Sequence, residues 1–185
     1  MLTISQYQVV QQLSESSRSI IYRGIRKQDK KPVILKMLKE ECASPTEFSR
    51  YKHEYEIITS LSHPEVIQAY DIESYRSTII IVLEDIDGVS LKKVMEDQRI
   101  TLQNFFPLAF QLIESLIYIH SVCITHKDIS SENIIVNLES NWLKVIDFGL
   151  ASRLSHEMPS LQTPEQLQGT LAYISPEQTG RINRR

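Results

Sequence analysis

Two carboxylates and a carboxamide stand in this chain at spacings that permit chemistry. His126-Lys127-Asp128-Ile129-Ser130-Ser131-Glu132-Asn133 has the form H-x-D-x-x-x-x-N, and Asp147-Phe148-Gly149 begins nineteen residues after Asp128. Carboxylate and carboxamide oxygens are the hard donors that Mg²⁺ accepts. A carboxylate beside a hydroxyl can also take up its proton. Asp128, Asn133 and Asp147 are therefore candidate site residues. Taken singly, each has a plainer explanation, because Asp128 and Asn133 can cap a turn and Asp-Phe-Gly can be an ordinary tight bend. Order and setting argue for more: each group adjoins a short apolar run, 134–136 or 143–146, that reads as a buried strand.

The elements that must position these groups are readable in outline. Residues 7–13 and 19–25 are β-prone runs around a serine-rich turn, and Lys27-Gln28-Asp29-Lys30-Lys31 is a polar turn. Pro32-Val33-Ile34-Leu35-Lys36-Met37-Leu38 is an apolar strand with one charge in its middle. Three strands in succession predict an antiparallel meander. Ser44-Pro45-Thr46-Glu47 reads as a helix start, with Ser44 as cap and Pro45 at the first helical position. Phe48, Tyr51, Tyr55 and Ile58 recur at helical spacing, and Ser62-His63-Pro64 ends the helix. Strands follow near 66–72 and 78–83. Residues 102–121 form the strongest helix, with Phe106, Phe110, Ile113, Ile117 and His120 in one stripe. Pro107 fits if Asn104 is the cap, since proline is tolerated in a first turn. A small β-rich lobe followed by a helical lobe is an α+β arrangement.

Composition excludes several classes. A net charge of -3 gives no footprint for nucleic acid or a membrane surface. Cys42 and Cys123, 81 positions apart, form no zinc or disulfide framework. His53, His63 and His156 form no ligand-spaced cluster. The longest apolar runs, such as Ile79-Ile80-Ile81-Val82-Leu83, are strand-sized, and the N-terminus lacks a signal pattern. A soluble cytoplasmic protein is the expectation.

Asp128, Asn133 and Asp147 together match the catalytic loop and D-F-G element of protein kinases, and the resemblance extends along most of the chain. Val33-Ile34-Leu35-Lys36 resembles V-A-I-K, which implies that Lys36 pairs the α/β-phosphates of ATP. Glu54, eighteen residues on, is then the helix partner that orients Lys36. Leu83-Glu84-Asp85-Ile86-Asp87-Gly88 resembles the hinge, with Leu83 as gatekeeper and the Glu84 carbonyl and Ile86 N–H on the adenine edge. Leu13, Ile21, Ile34 and Ile135 would flank the adenine ring; they are equally suited to an ordinary core. Asp128 would position the substrate hydroxyl, and Asn133 and Asp147 would hold Mg²⁺. Gly169-Thr170-Leu171-Ala172-Tyr173-Ile174-Ser175-Pro176-Glu177 resembles the end of an activation segment, and Thr170 points to Ser/Thr rather than Tyr kinases. Tyr22-Arg23-Gly24-Ile25-Arg26, His126-Lys127-Asp128-Ile129 and the run from Gly169 to Arg181 are similar to the N-terminal kinase module of bacterial Ser/Thr kinase–AAA ATPase–GAF–histidine kinase hybrids.

The resemblance implies a bilobal kinase-like fold across residues 1–185: a five-stranded antiparallel N-lobe plus helix (1–83), a hinge (84–88) and an incomplete helical C-lobe (89–185). It implies ATP and Mg²⁺ as cofactors and a Ser/Thr-bearing protein as substrate. Further C-lobe helices or sensor modules are expected outside this chain. Without those helices Glu177 lacks its arginine partner, the catalytic loop lacks its anchor, and apolar surface on helix 102–121 should be exposed.

Three internal departures bear on activity. Ser14, Ser16 and Ser19 stand where a nucleotide loop carries glycines, so a left-handed path there would cost roughly 1–2 kcal/mol per residue. The loop must follow another path or lie open, with Arg18 as a possible positive charge. Ser130 occupies the usual place of a lysine near the γ-phosphate. Such losses, with the missing helices, leave a second reading open: a nucleotide-binding or regulatory module without transfer. Ser152, Ser155, Ser160 and Thr163 are candidate phosphosites or plain surface hydroxyls. Finally, Lys127 replaces the arginine of H-R-D, and lysine is a point charge where arginine grips a phosphate bidentately. Lys127→Arg should therefore increase the activation that follows phosphorylation of the activation segment, read as the ratio of transfer rates after and before treatment. An equal ratio for both chains would refute that dependence.

Overall fold

The computed structural model describes residues 3, 4, 6–97, 100–154 and 169–175. Ser155, His156, Ser160, Thr163 and the run from Pro176 to Arg181 lie outside the described residues. The chain divides into two compact units, one of residues 1–62 and 67–87, the other of 63–66 and 88–185.

In the first unit, alternating apolar and polar residues produce antiparallel strands. They are β1 (Thr3–Ile4), β2 (Tyr7–Glu15), β3 (Ser19–Arg26), β4 (Pro32–Leu38), β5 (Ala69–Tyr75) and β6 (Thr78–Glu84), in the order β1-β2-β3-β4-β6-β5. The sheet thus adds the two-residue β1 to the five expected strands. The second apolar run begins at Ala69 rather than near 66. Val33, Leu35 and Met37 of β4 enter one core with Ile4, Tyr7, Ile80 and Val82. Ile34 and Lys36 alternate onto the opposite face, where they pair in register with Leu83 and Ile81 of β6. Tyr7 closes the core edge by donating its hydroxyl to Glu73 at 3.0 Å. Burial first, then the Glu73 carboxylate, raises the phenol pKa well above its ordinary value, so it stays a donor.

Helix α1 (Pro45–Thr59) starts where the sequence indicates. Ser44 is extended, its Oγ accepts the Glu47 N–H at 3.3 Å, and Pro45 costs no intrahelical bond at the first position. Tyr51, Glu54, Ile57 and Ile58 form the buried face, which packs on β5 and β6. The helix ends at Thr59, before the expected Ser62-His63-Pro64 stop.

The second unit contains β7 (Val89–Ser90), α2 (Leu91–Asp97), α3 (Leu102–Ser121), β8 (Ile124–Thr125), β9 (Ile134–Asn137), β10 (Trp142–Val145) and β11 (Ser152–Arg153). Residues 63–66 join it. Val66 bridges Val145 in parallel, the Val145 N–H donates to Glu65 O at 2.8 Å, and His63 stacks on Tyr118 at 4.7 Å. Strands β9 and β10 form a hairpin, with β7 on the other side of β9.

Helix α3 departs from expectation at its start. Its cap is Thr101, whose Oγ1 accepts the Asn104 N–H at 3.3 Å, not Asn104. Asn104 instead donates its side-chain amide to Asn141 at 3.3 Å, and Pro107 falls inside the helix. The apolar surface expected to be exposed on this helix is the stripe named from its spacing. Leu108, Ser115 and Ile119 are buried, whereas Phe106, Phe110, Ile113 and Ile117 are 52–64% exposed and His120 is exposed too. Gln111 sets the orientation: its Nε2 donates to Asn141 O at 2.9 Å and its Oε1 accepts the Leu143 N–H at 3.0 Å. Paired polar groups therefore decide the facing, because leaving them unpaired on burial costs about 1–3 kcal/mol each. An open apolar groove of about 700 Å³ runs beside α3, lined by Leu91, Met95, Phe105, Leu112, Ile134 and Val136 among others. No helix among the described residues is long and apolar enough to cross a membrane.

The two isoleucines of α3 test this facing. Ile119 is fully buried and Ile117 is 64% exposed. Ile119→Ala should lower the unfolding free energy by about 2–5 kcal/mol, and Ile117→Ala by less than about 0.5 kcal/mol. Urea denaturation of the full chain measures both; equal losses would overturn the assigned face.

Candidate active site

The predicted site residues divide between the units, Leu13, Ile21, Ile34, Lys36, Glu54, Glu84 and Ile86 in the first and Asp128, Asn133, Ile135 and Asp147 in the second. In the first, β4 pairing sets Lys36 beside Ile21 and Ile81. Its Nζ donates to both oxygens of Glu54, at 2.6 and 2.8 Å. The Glu54 side chain is 3% exposed and that of Lys36 13%. A charge so far from water needs its counter-charge, and each of these meets the other. The Tyr51 ring lies 5.8 Å from Nζ.

Ile21 and Ile34 are half-buried on the same sheet face as Lys36, while Leu13 is 42% exposed within an irregular stretch of β2. Leu83 is buried at the end of β6. Glu84 is held twice against Gln68: its N–H donates to Gln68 O at 3.0 Å and its Oε1 accepts the Gln68 N–H at 2.7 Å. Ile86 follows, half-buried.

The serine-rich turn takes neither an open nor a strained path. No residue from Leu13 to Tyr22 has a positive φ. The Ser16 N–H donates to Ser19 O at 2.9 Å, and Ser16 Oγ accepts the N–H groups of Arg18 and Ser19 at 3.2 and 3.0 Å. A serine hydroxyl thus closes the turn with ordinary backbone angles, the kind of local bond serine favours. Arg18 lies 3.6 Å from Glu47 of α1.

In the second unit the H-x-D-x-x-x-x-N loop folds around its own polar groups. His126 is buried and its Nδ1 accepts the Asp128 N–H at 3.3 Å. The ring proton is therefore on Nε2, which lies 3.0 Å from Ile146 O as a donor. The Ile146 N–H in turn donates to Asn133 O at 2.9 Å. Both backbone groups of Ile146 are so gripped by the two ends of the loop, and the next residue is Asp147. Asp147 adopts φ 62, a left-handed angle that aspartate tolerates better than most residues. It directs Phe148 into full burial, with its ring 4.6 Å from that of His126.

Asp128 is held at both oxygens. Oδ2 accepts Asn133 Nδ2 at 2.9 Å, and Oδ1 accepts the N–H and the hydroxyl of Thr170 at 2.8 Å each. Asn133 Nδ2 also donates to Asp128 O at 2.9 Å, which leaves the carboxamide oxygen on the far side of the group. Gly169 has φ 110, and a Cβ there would stand 3.2 Å from Lys127 O. Thr170 as the partner of Asp128 was not anticipated from sequence; the glycine just before it is the local signal. Tyr173 bonds Ser131 at 3.0 Å, while Ser130 is buried. Ile135 is half-buried in β9, paired with Ser90 and Lys144. Among the described residues no His, Cys, Asp and Glu gather into a metal-holding group. A carboxylate and a carboxamide are oxygen donors of the kind that Mg²⁺ takes, which keeps its waters and shares phosphate oxygens.

Comparison with known proteins agrees with this geometry. The family model for the protein kinase domain matches residues 7–184. The chain is 28% identical over 174 residues to serine/threonine-protein kinase 36 of Pongo abelii, covering 94% of this chain and 13% of that protein. It is 30% identical to serine/threonine-protein kinase PLK4 of Drosophila virilis over 95% of this chain and 22% of that protein. It is 26% identical to the probable serine/threonine-protein kinase pknA2 of Bifidobacterium longum over 92% of this chain and 23% of that protein. It thus spans less than a quarter of the length of each of these relatives. With a match across nearly its whole length and the loop, lysine–glutamate pair and D-F-G element in place, the chain belongs to the protein kinase domain family.

Proposed function

We propose that this chain is the catalytic part of a protein serine/threonine kinase, moving the γ-phosphoryl group of Mg-ATP to a protein hydroxyl. One observation carries the reading: the loop from His126 to Asn133 bonds both the carbonyl and the N–H of Ile146. Asp128, Asn133 and Asp147, from distant stretches of sequence, are thereby tied into one frame. Lys36, aligned by Glu54, takes the α- and β-phosphates. Leu13, Ile21, Ile34 and Ile135 supply apolar surface for adenine, and the Glu84 carbonyl and Ile86 N–H its polar edge. Residues 84–88 serve as the hinge. Asp147 and Asn133 would hold Mg²⁺, which when bound offsets the charge of the phosphates. Asp128, fixed by Asn133 and Thr170, orients the serine or threonine hydroxyl and accepts its proton.

The wording around Gly24, His126 and Gly169 supports a finer reading, a cytoplasmic kinase module of the bacterial hybrid type. A nucleotide-binding module without transfer is the alternative. It is favoured by the Ser16 hydroxyl, which occupies backbone donors that a glycine loop would offer to phosphates.

A radiolabelled-phosphate assay separates the two. Asp128→Asn should lower transfer by about 10²–10⁴-fold while the ATP-dependent melting shift persists. Chelation of Mg²⁺ should abolish transfer in the unaltered chain. A melting shift with no transfer above the Asp128→Asn level would favour the binding module.

A further inference from the structure

The first unit contains an ion pair that the phosphoryl-transfer reading does not use. Arg23 of β3 points onto the same sheet face as Ile21, Ile34 and Lys36, directly across from Ile34. Its guanidinium forks onto Asp85, the residue just beyond β6. Nη2 donates to Oδ1 at 3.1 Å, and Nε lies 2.6 Å from Oδ2, close as an ion pair though not aligned as a hydrogen bond. The Asp85 side chain is 6% exposed. Its Oδ1 also accepts the Asp87 N–H at 2.9 Å. Asp87 itself sits at φ 50, and its carboxylate lies 3.1 Å from Arg23 Nη1 but is 87% exposed, so this outer contact adds little.

The position of Asp85 gives the pair its consequence. The Glu84 carbonyl belongs to the peptide before the Asp85 Cα, and the Ile86 N–H to the peptide after it. Only the two backbone angles of Asp85 set how those groups are aimed relative to each other. The geometry points to Arg23 and Asp85 as positioning residues that hold the 84–86 segment in register for the edge of an adenine base. This rests on the nucleotide-binding reading above and extends it to a pair that touches no nucleotide atom. Arginine is required because its planar fork fixes both carboxylate oxygens, which an ammonium cannot do.

Lysine at position 23 keeps the charge and removes the fork. Asparagine at position 85 keeps the shape and removes the charge. Arg26 supplies a control: from the end of the same strand it forks onto Asp29, in the exposed turn that follows, at 2.9 and 2.7 Å. The full chain and its Arg23→Lys, Asp85→Asn and Arg26→Lys variants are titrated with Mg-ATP by calorimetry. Each is kept well below its own melting temperature, and KM and kcat are measured alongside. Arg23→Lys and Asp85→Asn should each raise the Kd and KM for ATP about tenfold, the loss of roughly one edge hydrogen bond. The effect on kcat at saturating ATP should be much smaller, and Arg26→Lys should bind as the unaltered chain does. Unchanged ATP affinity in both hinge variants, or an equal loss in Arg26→Lys, overturns the inference and leaves the kinase reading intact. An unaltered chain that takes no ATP overturns both. Binding without transfer, with the hinge variants weakened, upholds this inference and sinks the transfer reading.

Discussion

Ile146 joins the two polar segments of the second unit through its carbonyl and its N–H. Its carbonyl meets the His126 ring at 3.0 Å and its N–H meets the Asn133 carbonyl at 2.9 Å. Each bond contributes a net 0.5–1.5 kcal/mol or so, but their partners His126 and Asn133 are buried, and an unmet buried group would cost about 1–3 kcal/mol. That asymmetry is what enforces register. His126 can serve only as the neutral tautomer with its proton on Nε2, because its other nitrogen is already an acceptor for Asp128. The imidazole therefore ties the backbone of Asp128 to the carbonyl of the residue just before Asp147. Phe148, fully buried against the same ring, prevents Asp147 from sliding along the chain.

The first unit solves a different problem with the same economy of parts. A lysine in the middle of a sheet strand is normally a snorkelling side chain at a surface. Here alternation places Lys36 on the half-buried face while its neighbours Leu35 and Met37 fill the core. The α1 face of Tyr51, Glu54, Ile57 and Ile58 then brings a carboxylate to it. The helix begins at a fixed residue because Ser44 and Pro45 leave little choice of start. Moving that start by one residue would rotate Glu54 by about 100° around the helix, away from the sheet. The cap is thus a determinant of the charge pair, although the two are ten positions apart in sequence.

Local chemistry was legible and long-range chemistry was not. Pro32–Leu38, the α1 cap and the 102–121 helix limits follow from residue types within a few positions of one another. The residue types of the site were readable too, since carboxylates, an amide and a lysine in order are visible in any listing of the chain. Their partners were not. Thr170 on Asp128 and Arg23 on Asp85 join residues 42 and 62 positions apart, and no periodicity signals such pairs. Exposed apolar surface on α3 was expected, but the polar contacts that fix its facing were not legible. The Phe106–Ile117 stripe is more apolar than the buried face, yet Gln111 and Asn104 bond Asn141 and Leu143 beside and within β10. A hydrophobic count cannot see a hydrogen bond that is obligatory once its groups are buried.

The serine-rich turn shows that a motif can change its residues and alter its physics with them. Glycines let a loop adopt left-handed angles and leave its amides pointing outward. Ser16 reverses both properties. Its hydroxyl takes the amides of Arg18 and Ser19, and the backbone from Leu13 to Tyr22 keeps ordinary negative φ angles. The turn gains order before any ligand arrives and loses two of the donors a phosphate would use. A phosphate group approaching it must either displace the Ser16 hydroxyl or be held by other cations, and Lys36 is the one already aligned by a buried carboxylate. On the proposed kinase reading, the burden of phosphate recognition would shift from the backbone of a loop to the Lys36–Glu54 pair, and with it the dependence on Glu54 would grow.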